Sequence, residues 1–200
     1  MTVQAYSTSP QWFRRLLPPR RPTPAPTQAQ APTPDQGPIA RLLEIGEGQR
    51  GLSFDQLFGP YLADARRVTI TDKYIHQFYQ ARNVMELLET IVRYRADNQP
   101  VAVHLITSVT QPEYAANQLI FLQKMALAAP TVDLTFTWEM IDAPLLHDRS
   151  IVTDNGWKII LGRGLDIFQW YEAKDAFDFT NRLQCNRRLR GCTITYVREE

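Results

Sequence analysis

Residues Leu146 to Phe168 read LHDRSIVTDNGWKIILGRGLDIF, and the Asn155-Gly156 pair near their centre decides how the stretch folds. A two-residue type I′ turn needs φ > 0 at both central positions, and these two residues tolerate it best, so the spacing predicts a β-hairpin turning there. In that register Asp154 faces Trp157, Ile151 faces Ile160, Arg149 faces Gly162 and His147 faces Gly164. Opposed side chains share a sheet face. His147, Arg149, Ile151 and Thr153 are therefore expected on one face with Gly164, Gly162, Ile160 and Lys158. An imidazole and a guanidinium then stand side by side, opposite two residues that have no side chain. Glycine weakens a strand interior, so this pair points to close approach of a ligand or of another backbone. The expected spot is concave, cationic and anion-sized, with His147, Arg149, Gly162, Arg163 and Gly164 as its candidate anion-binding residues.

The segments upstream set the fold class. Val68-Thr69-Ile70-Thr71 is a β-branched strand, and Asn83 to Tyr94 carries Val84, Leu87, Leu88, Ile91 and Val92 at helical spacing. Val101 to Thr107 reads as a second strand and Pro112 to Ala128 as a second helix. Val132, Leu134, Phe136 and Trp138 alternate with polar residues as a third strand. This order implies right-handed crossovers and a largely parallel sheet, to which the hairpin adds antiparallel strands. The fold class is α/β, a mixed sheet with helices on its faces. Ser53 to Leu62 reads as a further short helix, Ile39 to Ile45 as another ending at Gly46, and Cys192 to Val197 as a last strand. Lys73, Tyr74 and His76 follow the first strand, where α/β sheets expose their ligand-facing ends, and form a second rank of candidates. Arg187 and Arg188 join that rank, although a basic run is more often solvated surface.

Composition excludes several classes. The 200 residues carry a formal net charge of +1, which gives no global pull toward nucleic acid or membrane. Eight prolines fall between Pro18 and Pro38, and Arg14, Arg15, Arg20 and Arg21 face only Asp35 in that region. Residues 1–38 thus read as a disordered proline-rich tail and linker, and 39–200 as the folded domain. Within the tail Trp12, Phe13, Leu16 and Leu17 form an apolar knot, a candidate docking peptide for a protein partner. No run approaches the ~18 apolar residues of a spanning helix. With no secretory signal apparent, a cytoplasmic protein is expected, peripheral at a membrane at most. Cys185 and Cys192 are too few for a zinc site and read as free thiols; neither metal nor cofactor is expected.

The spacing His147-x-Arg149-x-x-x-x-Asp154 resembles the phospholipase D motif H-x-K-x-x-x-x-D, with arginine for lysine. More specifically, HDR…NGW.I.LGRGLD.F, with SFDQLFGPYL, VTITDKYI and VAVHLITS upstream, resembles the phospholipase D-like C-terminal domain of the MIT-domain-containing protein 1 family, over roughly Leu52 to Val197. In phospholipase D enzymes the histidine attacks phosphorus, the lysine holds phosphate oxygens, and two motifs face each other. By resemblance, His147 is the nucleophile, Arg149 the phosphate clamp and Asp154 the orienting carboxylate, and a chain with one motif completes such a site only as a homodimer. Gly162-Arg163-Gly164-Leu165 stands where the enzymes carry G-S-x-N. The MIT-associated domain implies a non-catalytic adaptor that binds anionic phospholipid, or another phosphate-bearing ligand, and a protein. That reading is preferred. A dimeric phosphodiesterase or nuclease is the alternative, and a structural protein-interaction domain the second; nucleic acid as a partner is not favoured.

Overall fold

The computed structural model describes residues 37–96, 99–109, 112–169 and 177–199. The expectations for the tail, the Trp12 to Leu17 knot included, lie outside the described residues.

The elements run β1 (Arg41–Ile45), α1 (Phe54–Leu62), β2 (Arg67–Thr71), α2 (Phe78–Tyr94), β3 (Val101–Ser108), α3 (Pro112–Ala128), β4 (Leu134–Ile141), β5 (Ser150–Thr153), β6 (Trp157–Leu161), α4 (Phe179–Arg182) and β7 (Cys192–Arg198), with short 3₁₀ turns between. The seven strands form one sheet in the order β1-β7-β6-β5-β2-β3-β4. Only β2, β3 and β4 pair in parallel; the other four pairings are antiparallel, so the sheet is less parallel than the strand-helix alternation suggests. Both crossovers are of the strand-helix-strand kind and step in the same direction. Right-handedness therefore puts α2 and α3 on one face. That face holds the core: Phe54, Phe58 and Tyr61 of α1 and Val84, Leu87 and Ile91 of α2 pack with Ile70, Leu105, Ile151, Ile159 and Tyr196 of the strands.

Three local readings are corrected. Ile39 to Ile45 contributes a strand rather than a helix: β1 is an edge strand on β7, with Ile45 buried and Leu42 and Glu44 exposed. Five residues are too short for periodicity to separate the two states. Helix α2 starts five residues before Asn83, because Gln80 Oε1 accepts the backbone N–H groups of His76 and Gln77, a cap built from glutamine rather than Ser or Thr. The hairpin loop has three residues, not two. Only Gly156 has positive φ (88°), Asn155 does not, and the pairs are Ser150 with Ile160, Ile151 with Ile159 and Val152 with Lys158. This is the turn followed by a left-handed glycine that makes a bulge. Thr153 Oγ1 accepts the Trp157 N–H, and Asn155 Nδ2 donates to the carbonyls of Tyr61 and Ala63 at the end of α1, so the turn is locked by its side chains.

The basic run also differs from expectation. Arg187 is buried and donates to both carboxylate oxygens of Glu86, at 2.7 and 2.9 Å, and to the Asn181 carbonyl. It anchors the C-terminal segment to α2. Arg190 pairs with Asp166 at 2.7 Å, whereas Arg188 is exposed. Burial pushes the Glu86 carboxyl up, but the hydrogen bonds and charge of Arg187, with Gln184 and Arg82, outweigh it and hold the group below the usual carboxylate range. Removing one partner of such a pair leaves an uncompensated buried charge. Arg187→Ala is therefore expected to cost about 3 kcal/mol or more in urea unfolding, and Arg187→Met combined with Glu86→Met to recover most of the loss. Equal losses in the single and double variants would show that packing, not charge pairing, holds this segment.

Candidate functional site

The C-terminal ends of β2 and β3 lie at one end of the sheet, where β5 begins and β6 finishes, because Thr71 pairs with Ser150 and Ser150 with Ile160. The β4–β5 connection crosses this end, since β5 lies three places from β4 in the sheet. His147, Arg149, the Asp72 to His76 turn and the Gly162 to Leu165 loop are thereby gathered by topology.

The one-residue change of register moves Arg149. Continuing the observed pairing sets it opposite Leu161, whose N–H donates to the Arg149 carbonyl, and on the core face of the hairpin with Ile151 and Ile159. At the sheet end its guanidinium turns over the ring of Tyr74, with Cζ 4.7 Å from the centroid, while Nη1 donates to the Gly162 carbonyl at 3.0 Å. Lys73 Nζ lies 5.0 Å from the same ring. Two cations, one from the turn after β2 and one from the connection before β5, thus share one exposed tyrosine. His147 is exposed in the connection before β5.

Beneath them sits a carboxylate that sequence reasoning missed. Asp72 is 2% exposed and accepts the N–H groups of Tyr74 (3.0 Å) and Leu165 (2.8 Å). Burial pushes its pKa up, against the two backbone hydrogen bonds and the charge of Arg149. It also explains Gly164: φ is +67°, and a Cβ there would lie 2.1 Å from Asp72 Oδ2. At Gly162 a Cβ would lie 3.0 Å from the Thr193 carbonyl oxygen. The two glycines therefore answer to a carboxylate and a neighbouring backbone, and not to a ligand groove opposite His147 and Arg149. His76 is set by a second network. Ser108 Oγ donates to the Lys73 carbonyl at 2.7 Å and so accepts from His76 Nε2 at 3.0 Å, while Gln118 Nε2 donates to the carbonyls of Ile75 and Ser108. Burial lowers the His76 pKa.

Asp154 is elsewhere. It lies in the hairpin turn at the opposite end of β5, where Oδ1 accepts the N–H groups of Arg66 and Arg67. The strand alone separates it from Arg149 by roughly 13 Å at about 3.3 Å per residue. Lys73, Tyr74 and Arg149 are brought together; Asp154 and Arg187 are not among them.

Comparison with known proteins joins this geometry to a family. The family described as the phospholipase D-like domain at the C-terminus of MIT matches residues 51–198. The chain belongs to that family. MIT domain-containing protein 1 of Mus musculus is 30% identical over 138 residues, which are 68% of this chain and 53% of that protein. The chain thus spans about half the length of that relative. The crystal structure of phosphatidylserine synthase from Haemophilus influenzae Rd KW20 aligns with 79% of this chain and 34% of its own, at a TM-score of 0.39 and 12% identity. No helix among the described residues of this phospholipase D-like domain is long and apolar enough to cross a membrane.

Asp72 had a readable signal, an Asp two residues before Tyr74 at a strand end, which forms its own turn. Its partner Leu165 had none. Two outcomes follow for this domain. Gly164→Ala is expected to destabilise by more than about 2 kcal/mol, through left-handed strain and the clash with a buried carboxylate, and clearly more than Gly162→Ala; denaturant melts of both check the order. His76 has a folded pKa below its unfolded value, so the unfolded chain takes up the proton first, and stability is lost as pH falls through about 6.5. Thermal melts from pH 8 to 5.5 should show a smaller decline in His76→Gln than in the wild type.

Proposed function

We propose that this phospholipase D-like domain is a non-catalytic adaptor that binds a phosphate-bearing group, a phospholipid headgroup or similar, at the sheet end, and a protein partner elsewhere on its surface. The observation that supports it best is the convergence of Lys73 and Arg149 on the Tyr74 ring, at 5.0 and 4.7 Å. Arginine's planar fork suits phosphate oxygens, and among the described residues one of its donors is engaged, by the Gly162 carbonyl. His147 and Arg163 are both exposed, the first two residues before Arg149 and the second next to Gly162 in the chain. The anion-binding set is then Arg149, Lys73, His147 and Arg163. Gly162 and Gly164 shape the loop rather than the groove. The protein works at the cytoplasmic side of a membrane as a homodimer.

The nuclease or phosphodiesterase alternative, with His147 as nucleophile, needs a second copy to supply the opposing motif, and Asp154 is engaged at the far end of the hairpin. Vesicle co-sedimentation separates the two. Binding to vesicles containing an anionic phospholipid, and not to purely zwitterionic ones, should weaken by about 1.5 to 3 kcal/mol in Arg149→Ala, the usual worth of a charge-assisted hydrogen bond. His147→Ala should do less. Turnover of a generic phosphodiester, abolished by His147→Ala, would reverse the assignment. Sedimentation should give twice the chain mass of 23.0 kDa at micromolar concentration.

A further inference from the structure

Helices α2 and α3 do not close against each other at their C-terminal ends. Between them, above the start of β4, lies an open cleft of about 230 Å³, lined by Met85, Leu88, Val92, Met125, Ala128 and Val132. Met85 and Val132 are 38% and 40% exposed, and Leu127 beside them is 81% exposed. An apolar cleft left open to water is a binding surface in want of an occupant. Small-molecule sites run from about 300 to 1,000 Å³. This one is below that range and suits two or three side chains of a peptide.

We propose that the occupant is the chain's own segment Trp12 to Leu17, docked in cis. This does not depend on the anion-binding reading. Trp12, Phe13, Leu16 and Leu17 stand at positions i, i+1, i+4 and i+5, which share one side of a helical turn, and Arg14 and Arg15 fall on the other. That is the pattern by which an amphipathic helix enters a groove between helices. The charges agree. Glu89, 55% exposed on the cleft rim, shares Arg93 with Asp55, and Asp55 holds Arg93 more closely, at 2.7 Å against 3.7 Å. Glu89 is therefore open to Arg14 or Arg15. The reach suffices from any direction. Nineteen residues, Pro18 to Gln36, separate the segment from the first described residue, and at about 3.1 Å per residue a proline-rich chain spans roughly 60 Å. A domain of ~160 residues is only about 40 Å across. Tethering sets the effective concentration on the order of 1 mM, so a segment with a Kd near ~0.1 mM is docked roughly 90% of the time. A protein partner that uses the same four side chains must first displace them from the cleft.

Limited trypsin digestion of the full chain tests this, because the tail carries its own reporter and its own control. Bonds after Arg14 and Arg15 lie inside the docking segment, and the bond after Arg20 lies in the linker. A free peptide spanning residues 8–24 sets the unprotected ratio of cleavage. In the full chain, cutting after Arg14 and Arg15 should be slowed about tenfold relative to Arg20, matching the ~10% undocked fraction. Trp12→Ala, and separately Met85→Glu, should restore the peptide's ratio; Val132→Lys at the other end of the cleft repeats the test if Met85→Glu melts lower than the wild type. The proposal is overturned by a full-chain ratio equal to that of the peptide. It is overturned equally by protection that Trp12→Ala removes but both cleft variants keep, which places the segment elsewhere. Protection that disappears on dilution makes the docking one between copies and overturns it in cis.

Discussion

The end of the sheet that gathers Lys73, Tyr74 and Arg149 depends on one buried carboxylate. Asp72 ends β2, in the parallel half of the sheet, and accepts N–H groups from its own turn at Tyr74 and from Leu165 in the loop after β6, in the antiparallel half. The carboxylate is 2% exposed, and these donors and the nearby Arg149 offset only part of its desolvation, so its pKa stays raised. The closeness of its oxygen dictates glycine at position 164. The hydrogen bond to Tyr74 then fixes where the ring stands, and the ring fixes where Lys73 and Arg149 come to rest.

The other end of the sheet is built for rigidity. The Asp154 side chain accepts two backbone N–H groups from the start of β2, and the Asn155 side chain donates to two carbonyls at the end of α1. Turn, strand and helix are tied there by four hydrogen bonds between residues far apart in sequence. Loops placed on such a scaffold hold their geometry, which is what a recognition site requires. The same ties explain why the aspartate of the H-x-R-x4-D spacing serves the hairpin: four residues of extended strand carry it to the end opposite Arg149.

The α/β class was legible in the sequence because the alternation of β-branched runs with helix-spaced apolar residues extends over whole elements, as in Asn83 to Tyr94 and Val101 to Thr107. The edge strand β1 was not, since RLLEI gains its pairing only from β7, about 150 residues later. Nor was the hairpin register. Asn-Gly suits a two-residue turn in isolation, but here the Asn155 amide binds the end of α1 and leaves Gly156 alone in the left-handed region. A shift of one residue then changes which residues of the two hairpin strands share a face, and Arg149 stands opposite Leu161 instead of Gly162. Lys73 and Tyr74 were singled out from their place after a strand, whereas the burial of Arg187 was not legible because Glu86, its partner, lies a hundred residues away.

The electrostatics of the sheet end argue for a ligand without any appeal to resemblance. Two cations share one partly exposed ring, and a cation–π contact at an exposed site returns only about 0.5 to 1 kcal/mol. The counter-charge near Arg149 is Asp72, and burial raises its pKa and so weakens its hold on a negative charge. Arg190, which might have added to the positive field, is paired with Asp166. The arrangement therefore concentrates positive potential at Lys73 and Arg149 in a setting that is open to solvent, with a guanidinium only partly engaged by the Gly162 carbonyl. On the reading proposed above, a phosphate at this end would supply acceptors for those donors.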